Sequence, residues 1–138
     1  MKIIQQVTSL LLSKKLKELG VSQVTLFSWQ ISSDGIPVIN ISFMGEINCE
    51  DFSAFTSAEL GFLMPYSYMK NGKLHFIETT AGHTDHDYCT VCSSHFYETE
   101  RDSNAIVGDD FDGEGNEADA RAMMLIYLIE NNLIEVKK

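Results

Sequence analysis

An α+β fold, an antiparallel sheet of about five strands packed by three helices with the C-terminal helix central, follows from three features of this 138-residue sequence. Three segments carry apolar residues at helical spacing, the stretches between them alternate as strands do, and the connections are short enough to favour antiparallel pairing. The length suits one domain spanning 1–138, and 44% apolar residues is enough for a real core.

The elements follow in chain order. Residues 8–19 place Leu12, Leu16 and Leu19 on one helical face with lysines opposite; Thr8 is the expected cap and Gly20 the left-handed stop. Phe27, Trp29 and Ile31, then Ile39, Ile41 and Phe43, alternate with polar residues around Asp34-Gly35, predicting a hairpin with one buried face. Thr56 and Glu59 form a T-x-x-E capping box, and Phe55 with Leu60 suits a hydrophobic staple, so a short helix starts at Ser57. Pro65 forces Met64 into extended geometry and ends it. Asn71-Gly72 predicts a type I′ turn, in whose register Met69 faces Leu74 and Tyr68 faces His75.

Tyr88 to Glu98, rich in β-branched and aromatic residues, reads as the last strand. Residues 98–119 then hold nine acids against Arg101 alone, a net charge of −8, and Gly108, Gly113 and Gly115 mark the segment as a loop. It leads into the run from Asn116 to Ile134. There Ala118, Ala122, Leu125 and Ile129 share one face, while Ala122 to Ile129 are all apolar, so this helix must be buried on more than one side. Asn116 caps it, and Asp119 meets the free N–H groups of its first turn. Leu125 and Ile129 are expected to be nearly fully buried. Were the Met123 and Tyr127 face exposed, a homodimer or a partner would cover it.

Composition excludes several functions. With 20 acidic and 10 basic residues the formal charge is −10, which repels the phosphate backbone, so direct binding to nucleic acid is not expected. No leader pattern appears, and an eight-residue apolar run is far short of the roughly 20 residues of a membrane span, so a cytoplasmic protein without membrane partners is expected. Three cysteines cannot all pair within one chain, which points to a reducing compartment such as a host cytoplasm.

His83, His86, Cys89, Cys92 and His95 recur at spacing three, and imidazole and thiolate are the ligands zinc prefers. On a strand, however, positions three apart lie on opposite faces, and Cys89 and His95 would lie about 20 Å apart. Because Tyr88, Thr90, Val91, Phe96 and Tyr97 favour a strand, no metal or other cofactor is expected; a site formed by His83, His86, Cys89 and Cys92 is the alternative. Cys89 and Cys92 spell C-x-x-C, yet no helix pattern follows to activate the first thiol. Cys49 lies beside Glu50 and Asp51, surroundings that disfavour a thiolate nucleophile. Asp110, Asp112, Glu114 and Gly115 echo the start of a calcium loop, but the twelfth position is Arg121 where a bidentate glutamate is required. Phosphate-loop, dinucleotide, serine-hydrolase and zincin motifs do not occur. Tyr66 and Tyr68 are expected to be buried.

Three blocks, SKKLKELGVSQ with Phe27 and Trp29, AFTSAELGFLMP, and EADARAMMLIYLIENNLI, resemble a family of small uncharacterised proteins common in phage and prophage genomes. They cover all three proposed helices and a little under half the chain. Their residues are those of caps and cores, so the resemblance implies a fold and a genomic setting but no activity. Residues 82–115 depart from the family pattern. The expectation is therefore a non-enzymatic phage accessory protein that binds a host protein, an inhibitor of a host defence or nucleic-acid-processing enzyme. Asp109, Asp110, Asp112 and Glu114 would imitate a phosphate backbone in the partner's basic groove. The rival classes are a small zinc-stabilised module and a pocket protein sequestering a small ligand or nucleotide signal.

Overall fold

The computed structural model describes residues 2–42, 49–83, 88–98, 106–113 and 116–136. After a short 3-10 turn at Ile3–Gln5, helix α1 runs Leu10–Glu18, followed by strands β1 (Phe27–Ile31), β2 (Pro37–Ile41) and β3 (Phe52–Ala54). Helix α2 (Ser57–Leu63), strands β4 (Ser67–Lys70), β5 (Lys73–His83), β6 (Tyr88–Phe96) and β7 (Ile106–Asp112), and helix α3 (Glu117–Glu130) complete the order. The class is α+β with antiparallel pairing throughout, and α3 packs between the other helices and a sheet. The strands divide into two sheets, β2-β1-β3 and β4-β5-β6-β7. Two of them, β3 and β7, carry too little alternation to be read from sequence.

Local chemistry sets the helix ends. The Thr56 hydroxyl accepts from the Glu59 N–H at 3.3 Å while Glu59 Oε2 accepts from the Thr56 N–H at 2.8 Å, so the capping box closes in both directions. Phe55 and Leu60, the two halves of the staple, are both buried. Met64 is extended before Pro65, as the ring demands. Thr56→Ala should lower the unfolding free energy by about 1 kcal/mol in urea titrations, because the Glu59 N–H loses its acceptor. On α3, Asn116 Oδ1 accepts from Ala118 and Asp119 N–H groups at 3.0 and 3.4 Å. Asn71 and Gly72 adopt φ of 52° and 73°, and the Met69–Leu74 and Tyr68–His75 pairs form in the expected register.

Several sequence expectations change. The N-cap position of helix α1 is Ser9 rather than Thr8, with no side-chain cap hydrogen bond, and Thr8 instead ties elements together. Its carbonyl accepts from Trp29 Nε1 at 2.8 Å, its hydroxyl accepts from the Phe55 N–H at 3.0 Å, and its own N–H reaches the Phe55 carbonyl at 2.8 Å. Asp119 reaches past its own helix to accept from the Ser9 N–H at 2.7 Å, which docks the start of α1 onto α3. In the hairpin, Trp29 is buried, but Val38 and Ile41 are exposed on the edge strand β2, and Ile31 is exposed at the end of β1 beyond its pairing with β3, which stops at Trp29; Phe43 lies outside the described residues. The segment 106–112, read as loop, is a strand: Val107 pairs with His95 and Phe111 with Cys92, and the extra residue between Val107 and Asp110 makes a bulge.

Of three buried clusters among the described residues, one joins Val7, Trp29 and Ala54 at the three-stranded sheet, and the other two meet at α3. Ala118, Ala122, Leu125 and Ile126 pack with Leu16, Val21, Phe55 and Leu60 from the α1 and α2 side. Ala120, Met124 and Leu128 pack with Tyr68 and Cys92 on the four-stranded sheet. Helix α3 is thus buried on two sides, as its apolar run demanded. Leu125 is 2% exposed, while Ile129, in the last turn of α3, is only partly buried.

Candidate interaction surface

Strand pairing brings the acidic residues to the outer edge of the larger sheet. Asp110 pairs with Ser93 and Asp112 with Val91, whereas Phe111 between them pairs with Cys92 and points to α3, its ring 5.4 Å from that of Tyr127. Asp110 and Asp112 are both exposed, on the sheet face away from α3. Two strand steps separate them by about 7 Å, of the order of the spacing between successive phosphates on a nucleic-acid strand. Of the other acids in the sequence-read set, Glu114 and the side chain of Asp109 lie outside the described residues.

The same face gains a carboxylate that the sequence reading missed. Glu78 on β5 lies opposite Ser93, so Glu78, Ser93 and Asp110 form a row across three strands. Only the register of β5 against β6 reveals it; along β5 the signal was the exposed alternation of Glu78 and Thr80. His95 Nε2 lies 3.4 Å from Glu78 Oε2 and 3.0 Å from Ser93 Oγ. A nucleophilic triad needs hydroxyl and carboxylate on different ring nitrogens, and here both meet Nε2, so the group is a polar surface network.

The described members of the histidine and cysteine series, His83, Cys89, Cys92 and His95, fall on strands. Residues 88–96 form one continuous strand, in which Cys89 is paired with Gly82 and Cys92 with Thr79. The calcium-loop reading falls for the same reason, since Asp110 and Asp112 are held in a strand. His86 and the side chains of His83 and Cys89 lie outside the described residues, and among the described residues no cluster of three metal-ligating side chains occurs. Cys92 is buried against α3, and burial pushes its thiol above the ordinary range, although the Thr79 hydroxyl 3.7 Å away opposes this. In a C49S/C89S background, Cys92 should therefore react with a thiol reagent only as fast as the protein opens, and rapid labelling of the folded chain would show the packing here to be wrong.

Two concavities flank α3. The first, about 430 Å³, is an apolar groove walled by Leu11 and Leu12 of α1, Phe111 of β7, and Met123, Ile126 and Tyr127 of α3. The Lys15–Glu130 ion pair, 2.7 Å, closes one end. Met123 and Tyr127 are thus half-buried, and Leu11 is 77% exposed. The second, about 320 Å³, lies between Met64, Pro65, Tyr66, Ile77, Thr79 and Arg121. Arg121 donates to the Ser57 carbonyl at 3.3 Å and pairs with Glu117 at 2.8 Å, while its buried Nε has no acceptor among the described residues. Gly61 leaves room for this guanidinium, since a Cβ there would lie 2.7 Å from Nη1. Tyr68 is buried with its hydroxyl donating to Ser94 at 2.9 Å, but Tyr66, just before the start of β4, is 78% exposed, edge-on to Phe76 and lining this pocket.

No protein-family model matches the chain, and no curated protein or solved structure is significantly similar to it. Among the described residues no helix is long and apolar enough to cross a membrane.

Proposed function

We propose that the chain is a non-enzymatic accessory protein of phage or prophage origin that acts by binding a host protein in the host cytoplasm. It inhibits a host defence or nucleic-acid-processing enzyme by laying its acidic strand into that enzyme's basic groove. The observation that carries this reading is the placement of Asp110 and Asp112 on one exposed strand face, with Glu78 on the same face, in a chain of net charge −10. Charge held on a paired strand is pre-organised, and a rigid array of carboxylates loses less entropy on binding than a solvated loop does. The resemblance of the three helical blocks to phage proteins supports the setting.

Such a surface acts chiefly on encounter. Converting Asp109, Asp110, Asp112 and Glu114 together to Asn and Gln should slow association with the captured partner by about tenfold or more at low salt and abolish inhibition, while thermal unfolding stays within a few degrees. The difference should shrink as the Debye length falls below about 8 Å. Association at the unmodified rate would move the search to the hairpin face around Trp29 and to Tyr66.

The pocket at Arg121 favours a second reading, a protein that sequesters a small anionic ligand or nucleotide signal. A thermal-shift screen with nucleotides tests it: stabilisation that Arg121→Met removes would support sequestration.

A further inference from the structure

We propose that β7 accepts an additional strand from the partner protein, a segment that alternates apolar and basic residues. This rests on the reading of the acidic strand as the partner-binding surface, and it specifies the partner's chemistry. Three observations converge on it. Strand β7 is the outermost strand of its sheet, and among the described residues its outer edge pairs with no other strand. The apolar groove adjoins this strand on the α3 side, where Phe111 of β7 lines it together with Leu11 of α1 and Met123 and Tyr127 of α3. Asp110 and Asp112 occupy the other side.

A strand added beside β7 continues both faces of the sheet, because its side chains alternate with the same period of two. Every second residue then enters the groove and meets Phe111, Met123, Tyr127 and Leu11. The residues between them stand beside Asp110 and Asp112 at cross-strand distances of about 5 Å, close enough for a lysine or arginine to pair with a carboxylate. The groove therefore selects apolar side chains and the carboxylates select basic ones, while backbone hydrogen bonds supply affinity whatever the sequence. A helix in the groove would leave the β7 edge without backbone partners. A second copy of this chain fits worse still: antiparallel β7–β7 pairing would put the Asp110 and Asp112 pairs of both copies on one face, and like charges directly opposite one another are destabilising.

The test uses the full chain and a fluorescent, end-blocked octapeptide of alternating lysine and branched aliphatic residues. Two controls carry the same charge: one with the order scrambled into a basic block and an apolar block, and one N-methylated at every second backbone nitrogen. The expected result is saturable binding of the alternating peptide, about tenfold or more weaker for the scrambled peptide and for the version N-methylated on its pairing edge. Leu11→Gln, a change at an exposed helical position, should weaken it several-fold with no loss of fold, and D110N/D112N should weaken it most at low salt. Equal binding of all three peptides would mean that charge alone holds them, which overturns strand addition and leaves the acidic-surface reading intact. Self-association of the chain through β7, seen as a concentration-dependent dimer that the peptide disperses, would overturn the assigned occupant. If the alternating peptide binds D110N/D112N as tightly as the parent chain, the acidic-surface reading fails and with it the basic half of the assigned segment, leaving only strand addition through the apolar positions.

Discussion

Leu125→Ala should lower the unfolding free energy by about 2–5 kcal/mol, measured by urea or thermal denaturation. Leu125 is 2% exposed and sits among Leu16, Val21, Phe55 and Leu60, so truncation empties space on the side of α3 where α1 and α2 meet. That side cannot collapse easily. The Asp119–Ser9 hydrogen bond fixes the start of α1 on α3, and Asn116 Nδ2 donates to the Val7 carbonyl at 2.9 Å just before it. The cost should therefore lie towards the upper end of the range. Ile129→Ala, at a partly buried position one turn later, should cost clearly less, and equal costs would mean that α3 is not clamped as described.

Gly113→Ala should also be strongly damaging, at about 3 kcal/mol or more. A Cβ at this position would stand 2.0 Å from the Asn116 carbonyl oxygen and 2.6 Å from the Ala120 nitrogen, both backbone atoms of the first turn of α3. Neither can step aside, because Asn116 accepts from the Ala120 N–H at 3.1 Å and Gly113 donates to the Thr90 carbonyl at 2.9 Å. The substitution must push the end of β7 off the helix. Since that same junction places Phe111 on α3 and the carboxylates on the far face, partner binding should weaken along with stability. A Gly113→Ala protein with unchanged melting temperature would show that strand and helix do not approach so closely.

Gly113 also shows where the sequence stops being legible. The two residues it would clash with, Asn116 and Ala120, come close only in the folded chain, and in sequence it looks like any loop glycine. The elements that could be read carry their instructions locally: the Thr56–Glu59 box, Met64 before Pro65, the Asn71-Gly72 turn, and the apolar run of α3. What could not be read depends on partners distant in sequence. Strand β7 has three carboxylates in seven residues and a bulge, so its own propensity is poor. It forms because Phe111 buries against Tyr127 and because β6 offers an edge. Thr8 looked like a cap and instead ties the start of α1 to β1 and to the residue after β3, since the Trp29 and Phe55 it bonds lie far along the chain. Of the acidic site, the charge was visible in the sequence. Its strand geometry and the contribution of Glu78 were not, because both require the register of three strands.

The central claim, that the acidic edge strand is where a partner binds, is tested most directly by hydrogen–deuterium exchange on the free chain and on its complex with the captured host protein. Backbone amides of β7 should slow markedly in the complex, with little change on β1 and β2. Protection confined to the exposed Val38 and Ile41 edge of the hairpin, with β7 exchanging as in the free chain, would contradict it.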